Sequence, residues 1–382
     1  MRIGIDARTL SGRYTGDRTY WRGLIGGLAA VDAANEYVLY TRLPLDGDPP
    51  PGLGANVSWR QVAAPQNDAL WMLAGWPRAL KADKIDVAHT QYNIPLLGAP
   101  CPVITTIHDV SFRVHPDLFL LRDRWILSML VPRSMQKAAR VLAVSESTRR
   151  DILRFYPQVP KDNVRVVLEA ADARFRPPLG GQETARGMAN KRLGLDDKPY
   201  LLAVGVRQPR KNLALLLDAF ALVKLGLKID GKPPPHRLVI AGKRGWLDDT
   251  DAQIAALPAE VTRDIVPAGY VADDDLPTLY GGADALCYPS RYEGFGLPPL
   301  EAMACGCPVL CSRSSSLPEV VGDAGILLPP DDSDAWARAL GKLLSAPPIL
   351  ARWRERGPAR AALFSWEKAA RETLEVYKEC VK

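Results

Sequence analysis

Short runs of Val, Ile, Leu and Tyr alternate along the chain with longer segments whose apolar residues recur every three to four positions. This is the pattern of βαβ units. A parallel strand is covered on both faces and reads as an unbroken apolar run, whereas its crossover helix shows a single apolar stripe. In the first half the pattern predicts strands at Arg2–Ile5, Tyr37–Tyr40, Val57–Val62, Asp86–His89, Val103–Ile107, Arg140–Val144 and Val164–Leu168. Seven strands suffice for one doubly wound domain. A second series follows at Tyr200–Val204, Arg237–Ala241, Ile265–Pro267, Ala285–Tyr288, Val309–Cys311 and Ile326–Leu328. Between the two series, residues 177–199 carry Pro and Gly near both ends and little apolar periodicity, which reads as an interdomain linker. Trp366, Ala369, Ala370, Leu374 and Tyr377 lie at helical spacing and predict a closing amphipathic helix over 365–382. The expected fold is α/β, two Rossmann-like domains at 1–176 and 200–364, facing each other across a cleft.

Composition narrows this picture without changing it. A chain of 382 residues exceeds one ordinary core, and 47% hydrophobic with 24% charged residues is the balance of a soluble globular protein. No run approaches the ~18 apolar residues that span a bilayer, and MRIGIDARTL opens as a strand rather than a signal peptide, so a cytoplasmic location is expected. Six cysteines are too few for a disulfide framework. Cys305, Cys307 and Cys311 cluster within an apolar run with no second ligand pair, so they read as packing residues and no metal is expected. The net charge of +6 is spread along the chain instead of forming a block. It does not imply nucleic acid, and it suits a phosphate-bearing small molecule or an anionic membrane surface.

Two stretches carry chemistry. In LLAVGVRQPRKNLALLLDAF a strand ends at Gly205, and Arg207, Arg210 and Lys211 follow just ahead of a helix, where exposed amides, the helix dipole and cations together favour an anion. In YPSRYEGFGLPPLEAMA, Glu293 precedes the loop Gly294, Phe295, Gly296 and Leu297, prolines suit the first turn of a helix, and Glu301 lies one turn inside it. Carboxylates accept from vicinal hydroxyls, so one can hold a sugar and the other a ribose, although two glutamates near a helix start also simply complement its dipole.

These motifs, with LVIAG, AGYVADDDLPTLYGGADALCYPS and CGCPVLCSRSSSLPEVVGDAGILLPP, resemble the family-4 glycosyltransferases of the GT-B fold, and HDVSFRVHPDLF and HTQYNIP resemble segments of their mannosyltransferase-B-like branch. The resemblance covers nearly the whole chain. It implies an N-terminal domain on the acceptor side, a C-terminal domain that binds a nucleotide sugar, and a last helix that returns to the N-terminal domain. It implies catalytic or donor roles for His108, Arg207, Lys211 and Glu293. Donor contacts come from Gly16, Gly294, Phe295, Gly296, Leu297 and Glu301, with Arg207 and Lys211 on the diphosphate, Glu293 on the sugar and Glu301 on the ribose. Arg18, Tyr20, Asp109 and Ser145 become acceptor-side candidates, with a helix N-cap as the equal alternative for Ser145. The family's glycine-rich N-terminal loop is TGDRTYWRGL here, with Asp17, Arg18 and Thr19 at positions otherwise small or apolar, which leaves the acceptor open.

The implied reaction is retaining hexosyl transfer without a metal or other cofactor, with domain closure excluding water. The implied partners are a GDP- or UDP-hexose, GDP-mannose first, and a saccharide or lipid-linked saccharide acceptor. A nicotinamide-dependent oxidoreductase lacks its Gly-x-Gly-x-x-Gly turn in RIGIDARTLSGRYTG. An epimerase or hydrolase of the same fold, and a silent nucleotide-sugar-binding subunit, are the remaining alternatives. In LFLLRDRWILSMLVPRSMQKAAR, residues 118–140, long apolar residues mix with Arg122, Arg124, Arg133 and Lys137. The pattern suits a buried helix pair first, and peripheral contact with the inner face of a membrane second.

Overall fold

The computed structural model describes residues 1–11, 16–43, 53–63 and 67–381, apart from the side chains of 347 and 349. The chain divides into two compact units, Met1–Ala170 with Phe364–Lys382, and Ala171–Leu363.

In unit 1 the strands are β1 (Arg2–Asp6), β2 (Glu36–Thr41), β3 (Val57–Gln61), β4 (Val87–Gln91), β5 (Val103–Ile107), β6 (Arg140–Ala143) and β7 (Val164–Val166). They form one parallel sheet in the order β3-β2-β1-β4-β5-β6-β7. Unit 2 repeats the plan with β8 (Tyr200–Val204), β9 (Arg237–Ala241), β10 (Ile265–Gly269), β11 (Ala285–Tyr288), β12 (Val309–Ser312) and β13 (Ile326–Leu328). The order there is β10-β9-β8-β11-β12-β13, again parallel. Strand order reverses between β1 and β4 in one sheet and between β8 and β11 in the other. Beyond the carboxyl ends of strands at such a reversal, the diverging crossovers leave a crevice for a ligand. The predicted strands all form, because the two-sided burial that gives each its apolar run is present: β1, β4, β5, β8, β11 and β12 are buried almost throughout.

The closing helix, Trp366–Val381, belongs to unit 1 and packs on Gly16–Val31. Two glycines permit the close approach. A Cβ added at Gly27 would lie 2.3 Å from the Trp366 carbonyl oxygen, and one at Gly23 would lie 2.0 Å from the Trp366 ring. The contact is also polar. Buried His89 on β4 bonds Tyr377 Oη through Nδ1 at 2.6 Å and Thr106 Oγ1 through Nε2 at 2.8 Å, and burial pushes its pKa down to about 3, so the imidazole is neutral. Gly27→Ala meets backbone, which cannot rotate away, and is expected to cost about 1–3 kcal/mol of unit 1 stability, read as a lower midpoint in urea melts.

Two segments differ from the sequence reading. Residues 177–199 contain a 13-residue helix, Gly181–Leu193, within unit 2. Its buried residues are only Ala185, Ala189 and Asn190, so a helix that packs through small side chains shows little apolar periodicity. It lies close against Leu276–Gly282, where a Cβ at Gly282 would fall 2.8 Å from the Arg186 backbone, and Arg186 pairs with Asp284. The second segment is the helix Leu121–Lys137, which buries only Val131, Ser134 and Met135. Leu121 is 80% exposed and Trp125 66%, and Leu120, Ile126 and Met129 share the exposed side. The buried helix pair expected for 118–140 is therefore not what forms, since the apolar stripe faces solvent. Among the described residues no helix is long and apolar enough to cross a membrane.

Candidate active site

In unit 2 the carboxyl ends of β8 and β11 carry the two motifs to one place. β8 ends at Gly205, whose φ of +132° favours glycine and whose bare Cα lets the Lys211 stem pass; an added Cβ would sit 3.3 Å from Lys211 Cε. The following turn sets Arg210 and Lys211 facing Glu293, which comes from the loop after β11. Arg210 Nη1 donates to Glu293 Oε2 at 2.7 Å, and Lys211 Nζ donates to Oε1 at 2.7 Å. Ser290 Oγ and Tyr288 Oη also donate to Oε1, at 2.5 and 2.9 Å. The cluster is nearly closed to solvent. Burial alone would raise the Glu293 pKa, but the two cations and the hydrogen bonds outweigh it and hold the carboxyl at about 2, ionised at any working pH.

The loop itself is fixed from β12 onward. Ser315 Oγ accepts from the Glu293 amide at 2.8 Å, and Ser316 Oγ donates to the carbonyls of Glu293 and Phe295. Gly296 at φ +117° then caps the helix Leu297–Ala304, with Pro298 and Pro299 in its first turn. Glu301 sits in that helix, buried, and accepts from Tyr280 Oη at 3.0 Å. Burial dominates here, and the bond from Tyr280 only partly offsets it, so the Glu301 pKa rises to about 7.

Arg207 does not join the cluster. Its guanidinium is turned to Asp248, 3.1 Å from Nε, and to Asp251, 2.5 Å from Nη1, while its backbone pairs with Lys243 and Gly245. Arg210, which the sequence reading placed in the basic turn without a donor role, stands beside Glu293 with Lys211, and Arg207, which it placed on the diphosphate with Lys211, does not. Both arginines stand in the same short basic run, and only the twist of the turn decides which one faces the carboxylate.

Unit 1 places His108 at the carboxyl end of β5. Its Nδ1 lies 3.0 Å from Glu169 Oε1 and its Nε2 lies 3.8 Å from Asp17 Oδ1. Burial would lower the imidazole pKa, but the bond to Glu169 and the neighbouring carboxylates raise it, favouring the protonated ring. Glu169 was missed in the sequence. Its one signal was a carboxylate directly after a strand, in the apolar run VVLEAA.

The acceptor-side candidates separate. Tyr20 is buried, bonds Thr106 Oγ1 at 2.8 Å and packs edge-on to Trp366 and His108, so it serves the core. Ser145 is fully buried and caps the helix Glu146–Phe155 by accepting from the Thr148 amide, which settles it as an N-cap instead of a group reaching a cleft. Asp109 accepts from the Ser111 amide and hydroxyl, closing a turn. Arg18 is buried within the helix Gly16–Val31, and Gly16 stands exposed at its start. Cys305, Cys307 and Cys311 are buried thiols. Among the described residues no group of three or more His, Cys, Asp or Glu is placed to hold a metal ion.

Comparison with known proteins bears on this arrangement. The model for Glycosyltransferase Family 4 matches residues 19–174, and that for Glycosyl transferases group 1 matches residues 188–360. The O-antigen chain mannosyltransferase B of Escherichia coli is 37% identical over 282 residues, covering 72% of this chain and 70% of that protein. This chain belongs to glycosyltransferase family 4. A second member, the D-inositol 3-phosphate glycosyltransferase of Salinispora arenicola, is 32% identical over 64% of this chain and 56% of its own length. The crystal structure of Anabaena HepE in complex with UDP and glucose superposes with a TM-score of 0.73 over 99% of this chain and 100% of that one, at 17% identity. The glycosyltransferase therefore has the GT-B fold, with its last helix returning to the N-terminal unit.

Proposed function

We propose that this glycosyltransferase moves mannose with retention of configuration from a nucleotide sugar, GDP-mannose first and a UDP-hexose second. The acceptor is a saccharide or lipid-linked saccharide in cell-surface polysaccharide synthesis. The observation that carries the reading is the ionised Glu293 held between Arg210 and Lys211 at the sheet's reversal point. The mannosyl preference follows the E. coli relative's name.

An arriving diphosphate brings the counter-charge that Glu293 supplies to the two cations here. This frees the carboxylate to accept from sugar hydroxyls while Arg210 and Lys211 hold the phosphates. As the bond from C1 to the phosphate oxygen breaks, both electrons leave with the diphosphate. The two cations and the start of the helix Leu297–Ala304 stabilise the charge that develops, a task for which no metal is required. The acceptor hydroxyl bonds C1 on the face just vacated and its proton passes to the leaving phosphate. His108, whose Nδ1 is held by Glu169, serves as a hydrogen-bond donor to the sugar. Glu301 holds the ribose.

The test is nucleotide release from GDP- and UDP-sugars by purified protein in excess EDTA, with and without saccharide acceptors. Acceptor-stimulated release from GDP-mannose is the expected result. Release without an acceptor would instead mark a hydrolase or epimerase.

The exposed face of Leu121–Lys137 favours peripheral contact with an anionic membrane, for Arg122, Arg124 and Lys137 stand against Asp123 alone beside Leu121, Trp125 and Met129, while Arg133 turns inward to the Leu96 carbonyl. Phosphatidylglycerol vesicles should carry the protein upward in flotation, and Trp125→Glu should lower the bound fraction at least about fivefold. Equal flotation of the variant would remove the proposal.

A further inference from the structure

His108 is held on three sides within unit 1, and two of the three supports lead back to the closing helix. Its Nδ1 meets Glu169. The Tyr20 ring stands nearly perpendicular to the imidazole, with centroids 4.9 Å apart at 88°, and the Tyr92 ring is tilted against it at 5.6 Å. The His108 carbonyl accepts from Thr148 Oγ1 at 3.1 Å, so the backbone is tied as well. Nε2 is left over: it is buried, has no hydrogen-bond partner among the described residues, and lies 3.8 Å from Asp17 Oδ1.

A histidine ring does not fix its own tilt. Rotation about χ2 is broad and roughly two-fold, so the tilt is set by whatever touches the ring. The bond to Glu169 pins one nitrogen and allows the imidazole to pivot about it. The two tyrosine rings stop that pivot.

Both tyrosines are themselves anchored. Trp366, at the start of the closing helix, packs against the Tyr20 ring with centroids 5.9 Å apart at 76°. On the hydroxyl side, Tyr20 Oη bonds Thr106 Oγ1, Thr106 Oγ1 bonds His89 Nε2, and His89 Nδ1 bonds Tyr377 Oη, at 2.8, 2.8 and 2.6 Å. The Thr106 carbonyl also accepts from the Tyr92 amide at 2.9 Å. Tyr92 holds φ +57°, which an aromatic residue keeps only where its surroundings impose it. The first turn of the closing helix therefore bears on the Tyr20 ring, and a later turn bears on its hydroxyl through three hydrogen bonds.

All four members of that polar run are buried. A neutral imidazole donates through one nitrogen and accepts at the other, so the run is complete with His89 uncharged. A buried polar run adds little net stability over apolar side chains of the same shape. Its effect is to fix one arrangement of the core.

We infer that Trp366 and Tyr377 are positioning residues: through Tyr20, the closing helix sets the tilt of the His108 imidazole and so the direction in which Nε2 donates to the sugar. The inference rests on the transferase reading above, in which His108 meets the sugar, and extends it to residues that touch neither substrate.

Two measurements on the same variants test it. In nitrogen-edited NMR spectra of the unliganded protein, Tyr377→Phe and Trp366→Leu are expected to move the His108 ring resonances. They should also lower its titration midpoint, because a pivoting ring loosens the Glu169 bond that raises it. The titratable groups facing the ring are Glu169, Asp17, Asp109, Tyr20, Tyr92 and His89, and neither substitution alters any of them. With a sugar donor and saccharide acceptor, kcat is expected to fall about tenfold in each variant with donor KM changed less than about twofold, as for a misaligned donor group. Trp366→Phe, which keeps an aromatic ring against Tyr20, should restore most of kcat. Glu379→Gln is the control for a helix that is merely looser: it weakens the pairs to Arg140 and Arg165 without touching Tyr20, and should leave both readouts unmoved. His108 resonances and midpoint equal to wild type in both variants overturn the inference, as does a fall in kcat that Glu379→Gln reproduces. A wild-type protein that turns over no GDP- or UDP-sugar would count against the transferase reading alone, because the spectra of the unliganded protein decide the positioning by themselves.

Discussion

Lys211→Ala is expected to lower kcat/KM by about 10²–10³-fold, the usual cost of removing one preorganised donor from a developing oxyanion. Arg210→Ala should follow closely, because its Nη1 is as near to Glu293 as Lys211 Nζ is. Arg207→Ala should fail differently. Its partners are Asp248 and Asp251, and Asp248 is almost fully enclosed, so removing the guanidinium leaves that carboxylate only Thr250 and the more distant Arg244 and costs about 1–3 kcal/mol of unit 2 stability. Steady-state nucleotide release and thermal melting on the three variants separate the cases. Loss of turnover at unchanged melting temperature is expected for Lys211 and Arg210, and a lower melting temperature with turnover retained at low temperature for Arg207. If Arg207→Ala abolishes turnover while melting normally, the assignment of Arg210 is wrong.

Glu301→Gln should have opposite effects on stability and on binding. The wild-type carboxyl titrates at about 7 against an ordinary 4.5. The folded state therefore holds a proton that the unfolded state has released, and stability falls as pH rises from about 4.5 to 7 and then levels. Glutamine carries no such penalty, so above pH 7 the unliganded variant should be the more stable, by on the order of 3 kcal/mol at 1.36 kcal/mol per unit. In the proposed mechanism the ionised carboxylate is the form that accepts two ribose hydroxyls. Replacing it should weaken nucleotide binding by about 10–10²-fold at pH 8. Wild-type affinity should fall as pH drops below about 7 and that of the variant should not, which calorimetry at pH 6 and 8 decides. Matching pH profiles would show that Glu301 does not meet the nucleotide in its charged form.

The strands were legible because two-sided burial writes itself as an apolar run bounded by Gly and Pro, and the basic turn and the Glu293 loop were each legible because family motifs mark both, whereas the ion pairing of Glu293 with Arg210 and Lys211 appears only in the structure. Other features were not. His108 and Glu169 stand 61 residues apart, and nothing local in either stretch announces the other. Arg207 and Arg210 are equivalent in a string of letters and are told apart only by the turn that aims them. The helix Gly181–Leu193 packs through alanines, which carry too little apolar signal to be read. The exposed stripe of Leu121–Lys137 has a sequence that a buried helix would share, because periodicity records which residues lie on one side and not what lies against it.

The closing helix also fixes an order of events during synthesis. Unit 2 is one continuous stretch, Ala171–Leu363, whereas unit 1 needs Phe364–Lys382, which the ribosome makes only after the whole of unit 2. At about 5–20 residues per second, the N-terminal sheet waits some 10–40 s for that segment. Over that interval the face that Trp366 and Tyr377 will cover, with Trp21 and His89 beneath it, stays open. The second unit can thus finish folding before the first, and a nascent chain stalled short of residue 364 would present that aromatic face to chaperones.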